Sequence, residues 1–375
     1  MIASLYIHIP FCRYKCAYCD FVSYPHAFQI DDLVEKYVNA LIEELQWWRN
    51  AFPYLHINTV YMGGGTPSAL PLHLQERIYK FLSGWQKGFT EFTIEANPED
   101  INREWLGFLK EWGITRISVG IQTFSEELLR QWRRKHSISD SLHALHVLSQ
   151  SDFDFNVDII YPTYLPEVSD YSFQRDIDTV LKCNPHHISV YLMDIHEGTL
   201  ASINVQSGRW KEVPEGRVVD DLSYLYEILK EHGYIHYEIS NFSLPGKESK
   251  HNIRYWLQEF YIGAGISAWG FINFVRYENL PTIQGYIRGN VGKQFYKVSG
   301  KDVLSEYGIM ALRLLTRGIE RRRWEILGGS WENLIDRAKN VECIDVYEDR
   351  ILLKDSVDCI LVSNSVIEEI LEPWL

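Results

Sequence analysis

Cys12, Cys16 and Cys19 stand in the pattern Cys-x3-Cys-x2-Cys near the start of the chain. A [4Fe–4S] cluster that only carries electrons takes four thiolates. Three thiolates at this close spacing hold three irons and leave the fourth open, and an open coordination position can bind a substrate or cofactor directly. A zinc ion would want four ligands and could recruit His8 or His26 to the three cysteines. Unrelated core cysteines rarely crowd into so short a stretch, so iron–sulfur is the stronger reading of the spacing.

Residues further along could hold a small polar ligand. The run Gly63-Gly64-Gly65-Thr66-Pro67-Ser68 lets a backbone approach a ligand closely, and Thr66 adds a hydroxyl. It could equally be a tight turn. Glu95 and Asp158 are carboxylates on otherwise apolar runs, costly there unless each meets a partner. That partner is either the amino and hydroxyl groups of a ligand or a buried structural pair. Gln122 can donate to and accept from a sugar or a carboxylate, and Arg134 can grip a carboxylate through its planar fork.

These candidates fall at or after the ends of strands. Apolar runs at residues 5–9, 59–62, 92–95, 116–120, 155–160 and 188–193 predict short strands. Amphipathic stretches at 31–49, 72–82, 103–112, 126–133, 138–149, 173–181 and 218–232 predict the helices that follow them. Such alternation implies an α/β fold with a parallel sheet, and six units in a row predict a partial (β/α)6 barrel rather than a closed eightfold one. Barrels carry their reactive groups at the C-terminal ends of strands. After Gly233 the rhythm changes: residues 234–242 could form a further strand, and a Trp-, Tyr- and Gly-rich segment runs to Gly270. Helices at 303–315, 324–327 and 331–339, a β-like pair at 344–353 and a last helix at 363–371 predict a smaller C-terminal winged-helix-like domain without a basic recognition helix. The expected division is therefore 1–233, 234–300 and 301–375.

The 375 residues are 46% hydrophobic and 23% charged, which allows a normal globular core. A formal net charge of −13 argues against nucleic acid, which needs a basic face. The basic runs at 130–135 and 321–323 are expected as solvated faces. Aromatic content of 14% suits large apolar pockets. No apolar run reaches the length of a membrane span and the N-terminus lacks a signal pattern, so a cytoplasmic protein is expected. Six cysteines in a chain of this length do not suggest a disulfide scaffold. Cys183, Cys343 and Cys359 show no metal spacing and are expected as core thiols.

The stretch from Tyr6 through the three cysteines to Phe21 resembles the radical S-adenosylmethionine (SAM) signature, in which the open iron chelates SAM. Further matches are GGGTPS at 63–68, IEANPE at 94–99, ISVGIQTFS at 117–125, ISVYLMDIHEGT at 188–199, YEISNF at 237–242 and HNIRYW at 251–256. Together they are similar to the oxygen-independent coproporphyrinogen III oxidase family, and within it to the HemW, or haem-chaperone, branch. The resemblance implies a radical SAM barrel in which Cys12, Cys16 and Cys19 ligate a [4Fe–4S] cluster. It implies SAM contacts at Tyr6, Tyr18, Gly64, Gly65, Thr66, Glu95, Gln122, Arg134 and Asp158. True oxidases carry a further cysteine two places after the third; here that place is Phe21, as in the haem-chaperone branch. The HNxxYW segment is typical of that branch and is associated with haem. His251 is thus implied in haem binding, Arg254 as a partner for a propionate, and Tyr255 and Trp256 as stacking surfaces. Relatives keep a histidine where this chain has Trp269, which can stack but cannot ligate iron. The implied role is delivery of haem to a haem-accepting membrane or respiratory protein, with an electron donor such as flavodoxin or ferredoxin and no nucleic acid. Alternatives within the resemblance are oxidative decarboxylation of coproporphyrinogen III and radical SAM methyl transfer.

Overall fold

A computed structural model describes residues 1–25, 27–30, 32–289 and 293–374. The alternative ligand His26 and the expected helix start at Asp31 lie outside the described residues. Six strands, Ile2–Ile9, His56–Gly64, Glu91–Ala96, Arg116–Gln122, Asp154–Tyr161 and His187–Leu192, each pair in parallel with the next. Helices Leu33–Ala51, Leu72–Trp85, Arg103–Glu111, Ile138–Ser149 and Phe173–Leu181 make the crossovers. The sheet stays open, so the expected partial (β/α)6 barrel is the fold observed.

Alternation along these strands decides what faces where. Leu5, Ile7 and Ile9, Val60 and Met62, Phe92 and Ile94, Ile117 and Val119, and Val157 and Ile159 are all buried in the apolar core. The residues between them, among them Ser4, Thr59, Glu91, Ser118, Asn156 and His187, are buried and polar. They hydrogen-bond across neighbouring strands. Thr59 donates to Ser4 Oγ at 2.9 Å, Asn156 Nδ2 donates to Ser118 Oγ at 2.7 Å, and His187 Nδ1 lies 2.7 Å from Asn156 Oδ1. The partners offset the cost of burying polar groups.

Residues 234–242 form a hairpin rather than one strand: Ile235–Glu238 and Asn241–Ser243, with the latter antiparallel to the sixth barrel strand. At the opposite edge Tyr261–Ala264 runs parallel to the first strand, and Trp269–Ile272, Val275–Asn279 and Lys293–Lys297 extend that edge antiparallel. Between these additions lies helix Lys250–Trp256, capped by Ser249, whose side chain accepts from Asn252 N–H. The Glu91 carboxylate accepts from the N–H groups of Lys250 and His251 at 2.9 Å each, and Arg116 donates to Lys247 O at 2.9 Å. Glu91 and Arg116 begin their strands. This segment therefore plugs the N-terminal end of the barrel and leaves the C-terminal end for chemistry.

A second core gathers Leu304, Tyr307, Leu312, Trp324, Trp331, Leu334, Ile351 and Ile370. Its elements follow winged-helix order: helix Gly300–Leu312, strand Ile319–Glu320, helices Arg321–Ile326 and Trp331–Ala338, then strands Ile344–Val346 and Arg350–Leu353. The three strands form one sheet, and helix Ser363–Leu371 follows. Cys343 and Cys359, expected as separate core thiols, are joined in a disulfide. The fold brings these positions, 16 apart in sequence, to a Cα separation of 5.3 Å, a proximity that spacing alone does not reveal. Cys183 is a free thiol packed against the edge of the main core. Among the described residues no helix is long and apolar enough to cross a membrane.

Candidate cofactor site

The first strand ends at Ile9 and runs into the cysteine loop, which is fastened on two sides. Gly65 N–H donates to Ile9 O and Thr66 N–H to Phe11 O, at 2.8 Å each. On the other side Ala17 N–H donates to Trp132 O at 2.9 Å, and Ala17 O accepts from Ala201 N–H at 2.8 Å. Only glycine fits at position 65, because a Cβ would lie 2.7 Å from the carbonyl oxygens of Ile9 and Phe11. Gly64 takes φ +105°, and its N–H donates to Glu95 Oε2 at 3.1 Å. The glycine run thus serves close packing of the cysteine loop and Glu95 as well as any approach to a ligand.

Cys12, Cys16 and Cys19 line one cavity of about 480 Å³, a size typical of ligand sites. Burial pushes the Cys12 thiol up to about 11 and raises that of Cys19. Against this, each sulfur has a donor nearby. Thr66 Oγ1 is 3.6 Å from Cys12, Arg134 Nη1 is 3.6 Å from Cys16 and Lys15 Nζ is 3.9 Å from Cys19. Such donors favour the thiolate, the form that binds metal. Among the described residues no three His, Cys, Asp or Glu side chains gather to hold a single ion. Three sulfurs that line one cavity fit the three cysteine-held irons of a [4Fe–4S] cluster.

Gly64, Gly65, Thr66, Glu95, Gln122, Arg134, Asp158 and Tyr18 line the same cavity. Glu95 Oε1 accepts from Tyr61 OH at 2.8 Å. Burial pushes its carboxyl up to about 7, against the pull of the Tyr61 and Gly64 donors. Asp158 accepts from Ser118 Oγ at 2.9 Å and from Asn156 Nδ2 at 2.7 Å, and burial raises it as well. Arg134 Nη2 donates to Asn97 Oδ1 at 3.0 Å and to Gly120 O at 2.8 Å, while its Nε is buried with no partner among the described residues. Gln122 holds φ +72°, a left-handed conformation that costs a non-glycine residue on the order of 1–3 kcal/mol. Local strain, an orphaned cationic donor and two desolvated carboxyls mark a site prepared for a polar, charged ligand.

Tyr6 and the implied haem residues of the HNIRYW segment lie elsewhere. Tyr6 stands behind Tyr61, with ring centroids 6.3 Å apart and its hydroxyl 2.9 Å from His8 Nδ1. His251 is sealed in the barrel plug. Its Nδ1 is 2.9 Å from Thr59 Oγ1, its Nε2 is 2.8 Å from Tyr255 OH, and its ring lies 5.3 Å from that of Tyr61. Burial lowers its pKa to about 3. It is neither a loop histidine nor an open iron ligand, since both ring nitrogens are occupied. Arg254, expected to meet a propionate, pairs with Glu259. Trp269 lies on an outer strand, 43% exposed, its ring 6.1 Å from that of Tyr296. Tyr61, Asn97, Ser118 and Tyr191 also line the cavity and were missed in the sequence. Strand register could have found Ser118, which pairs with Glu95.

The radical SAM superfamily model matches residues 6–180. The heme chaperone HemW of Lactococcus lactis subsp. lactis is 34% identical over 288 residues, spanning 76% of this chain and 74% of that protein. The heme chaperone HemW of Bacillus subtilis is 32% identical over 340 residues, 88% of each chain. The fold matches the solved structure of the Escherichia coli coproporphyrinogen III oxidase HemN, a radical SAM enzyme, with a TM-score of 0.80 at 22% identity, covering 98% of this chain and 89% of that one. That last likeness is one of fold.

Proposed function

This chain belongs to the HemW family of radical SAM proteins, and from that premise we propose that it is a cytoplasmic haem chaperone that carries a [4Fe–4S] cluster and SAM and passes haem to an acceptor haemoprotein. The observation that carries the reading is the convergence of the three cysteines with the polar strand-end residues on one cavity. Cys12, Cys16 and Cys19 hold the cluster. When bound, the cluster would supply an open iron for SAM and a one-electron redox centre suited to a flavodoxin- or ferredoxin-type donor. Glu95, fixed by Tyr61 and Gly64, receives the SAM ammonium. Arg134 balances the SAM carboxylate through its fork. Asp158 accepts from ribose hydroxyls through the lone pairs that Ser118 and Asn156 leave open.

Haem rests at the mouth of the cavity, where Phe21 is 59% exposed and offers an aromatic face. The HNIRYW helix acts from below: His251 backs Tyr61, and Tyr61 orients Glu95. The acceptor is a membrane-bound or respiratory haemoprotein. The test is anaerobic reconstitution followed by haem titration and mixing with an apo-haemoprotein. A saturable Soret band that then moves to the acceptor is expected. Absence of saturable binding overturns the reading.

A further inference from the structure

Beside the main cavity lies a second chamber of about 290 Å³. Tyr191, Leu192 and Asp194, at the end of the sixth barrel strand, line both spaces. The far wall comes from Ser240 of the edge hairpin and from Arg313 and Asn364 of the C-terminal part. The chamber therefore opens at the unclosed flank of the barrel, where a ligand too large for the cavity would extend.

Arg313 ends helix Gly300–Leu312 as its C-cap, and its carbonyl accepts from Ile239 N–H at 3.2 Å. Its guanidinium lies over the Trp256 ring, 5.6 Å from the centroid, a cation–π seat. Nη1 donates to the neutral Asn364 Oδ1 at 3.2 Å, and Nε is buried with no hydrogen-bond partner among the described residues. Glu238, a carboxyl near enough to act on Arg313, accepts from Asn241 and is pushed up to about 7 by burial. Asp194 is exposed. Among the described residues no carboxylate lies within salt-bridge distance of the Arg313 guanidinium, Glu238 acting on it only from further off; a partly buried guanidinium so placed is costly unless a ligand completes it, and a planar fork matches a carboxylate.

We propose that Arg313 is the receptor for a carboxylate of the bound cargo, a propionate of haem held at the neighbouring cavity. The inference rests on the haem-chaperone reading above. It also gives the HNIRYW segment a second role, in which Trp256 seats the arginine that reads the propionate while His251 stays within the plug.

The test compares haem with haem dimethyl ester, whose propionates carry no charge, by Soret titration of the reconstituted full chain. Wild type should bind haem about tenfold more tightly than the ester, as loss of one charge-assisted pair implies. Arg313→Gln should weaken haem about tenfold and leave the ester unchanged, and Arg313→Lys should restore part of the difference. Equal affinity of wild type for haem and ester overturns the proposal without any variant, as does an equal loss of both ligands in Arg313→Gln. If wild type binds neither ligand saturably, the chaperone reading itself fails and the inference falls with it.

Discussion

Glu95 is the side chain whose protonation should govern SAM binding. Burial raises its carboxyl from 4.5 to about 7 in the free protein, so below neutrality it is largely neutral and cannot pair with an ammonium. SAM affinity should therefore rise as pH increases through about 7, with a proton released on binding. Calorimetry in buffers of different ionisation enthalpy measures that proton. Glu95→Gln should bind more weakly and lose the pH dependence. A slope that survives in the glutamine variant would assign the titration to another group. The same shift acts on stability. The neutral form is favoured by the fold, so this contribution is complete below 4.5 and is lost as pH rises through about 7. Bound SAM reverses the loss by giving the carboxylate a cation.

The helix Lys250–Trp256 is conspicuous in sequence, and the fold places it in the plug at the N-terminal end of the barrel. Its residues offered an imidazole, an arginine and two aromatics, a set that suits haem. The fold instead commits the imidazole to Thr59 and Tyr255 and the arginine to Glu259. No periodicity announced the helix, because it spans only seven residues, too few for an apolar stripe to repeat. His251→Ala should lower stability by about 1–3 kcal/mol, the cost of leaving two buried hydroxyls without their partner. The Soret maximum of the haem-loaded variant should match wild type. A shifted maximum would restore His251 as an iron ligand. With the folded-state pKa depressed to about 3 from 6.5, the stability that His251 contributes is present above 6.5 and declines as pH falls towards 3. Denaturant midpoints of wild type and variant should therefore converge in that window. Trp269→His concerns a different element, the outer strand Trp269–Ile272. Its side chain is 43% exposed and does not line the cavity, so haem affinity should be unchanged. A sharp tightening would bring the strand into the binding site.

At the scale of the whole molecule, the six parallel strands and their crossover helices were legible because apolar runs of strand length alternate with amphipathic stretches, and each element carries its own signal. The cysteine loop, Glu95 and Asp158 were legible because reactive groups gather at strand ends. Long-range meetings were not: the disulfide of Cys343 with Cys359, the retreat of Tyr6 behind Tyr61, and the seat of Arg313 on Trp256 all depend on tertiary approach. Arg134 stood in a run expected to be solvated, yet it faces the cavity because Arg133 turns the chain with φ +59°. The last consequence concerns the reaction. The proposed SAM cavity sits in a fold shared with a coproporphyrinogen III oxidase. Position 21, however, places an exposed phenyl ring at the cavity, where the sequence resemblance implies a thiol in the oxidases. A phenyl group can pack against a macrocycle but cannot ligate metal, donate a hydrogen atom or form a disulfide. Reconstituted protein with SAM, a reductant and coproporphyrinogen III should therefore form no protoporphyrinogen IX at a physiological rate, followed as fluorescent porphyrin after oxidation. Phe21→Cys should weaken haem binding, because it removes the aromatic face at the cavity mouth. Robust product from wild type would show that the thiol is dispensable and move this chain from haem delivery to porphyrin synthesis.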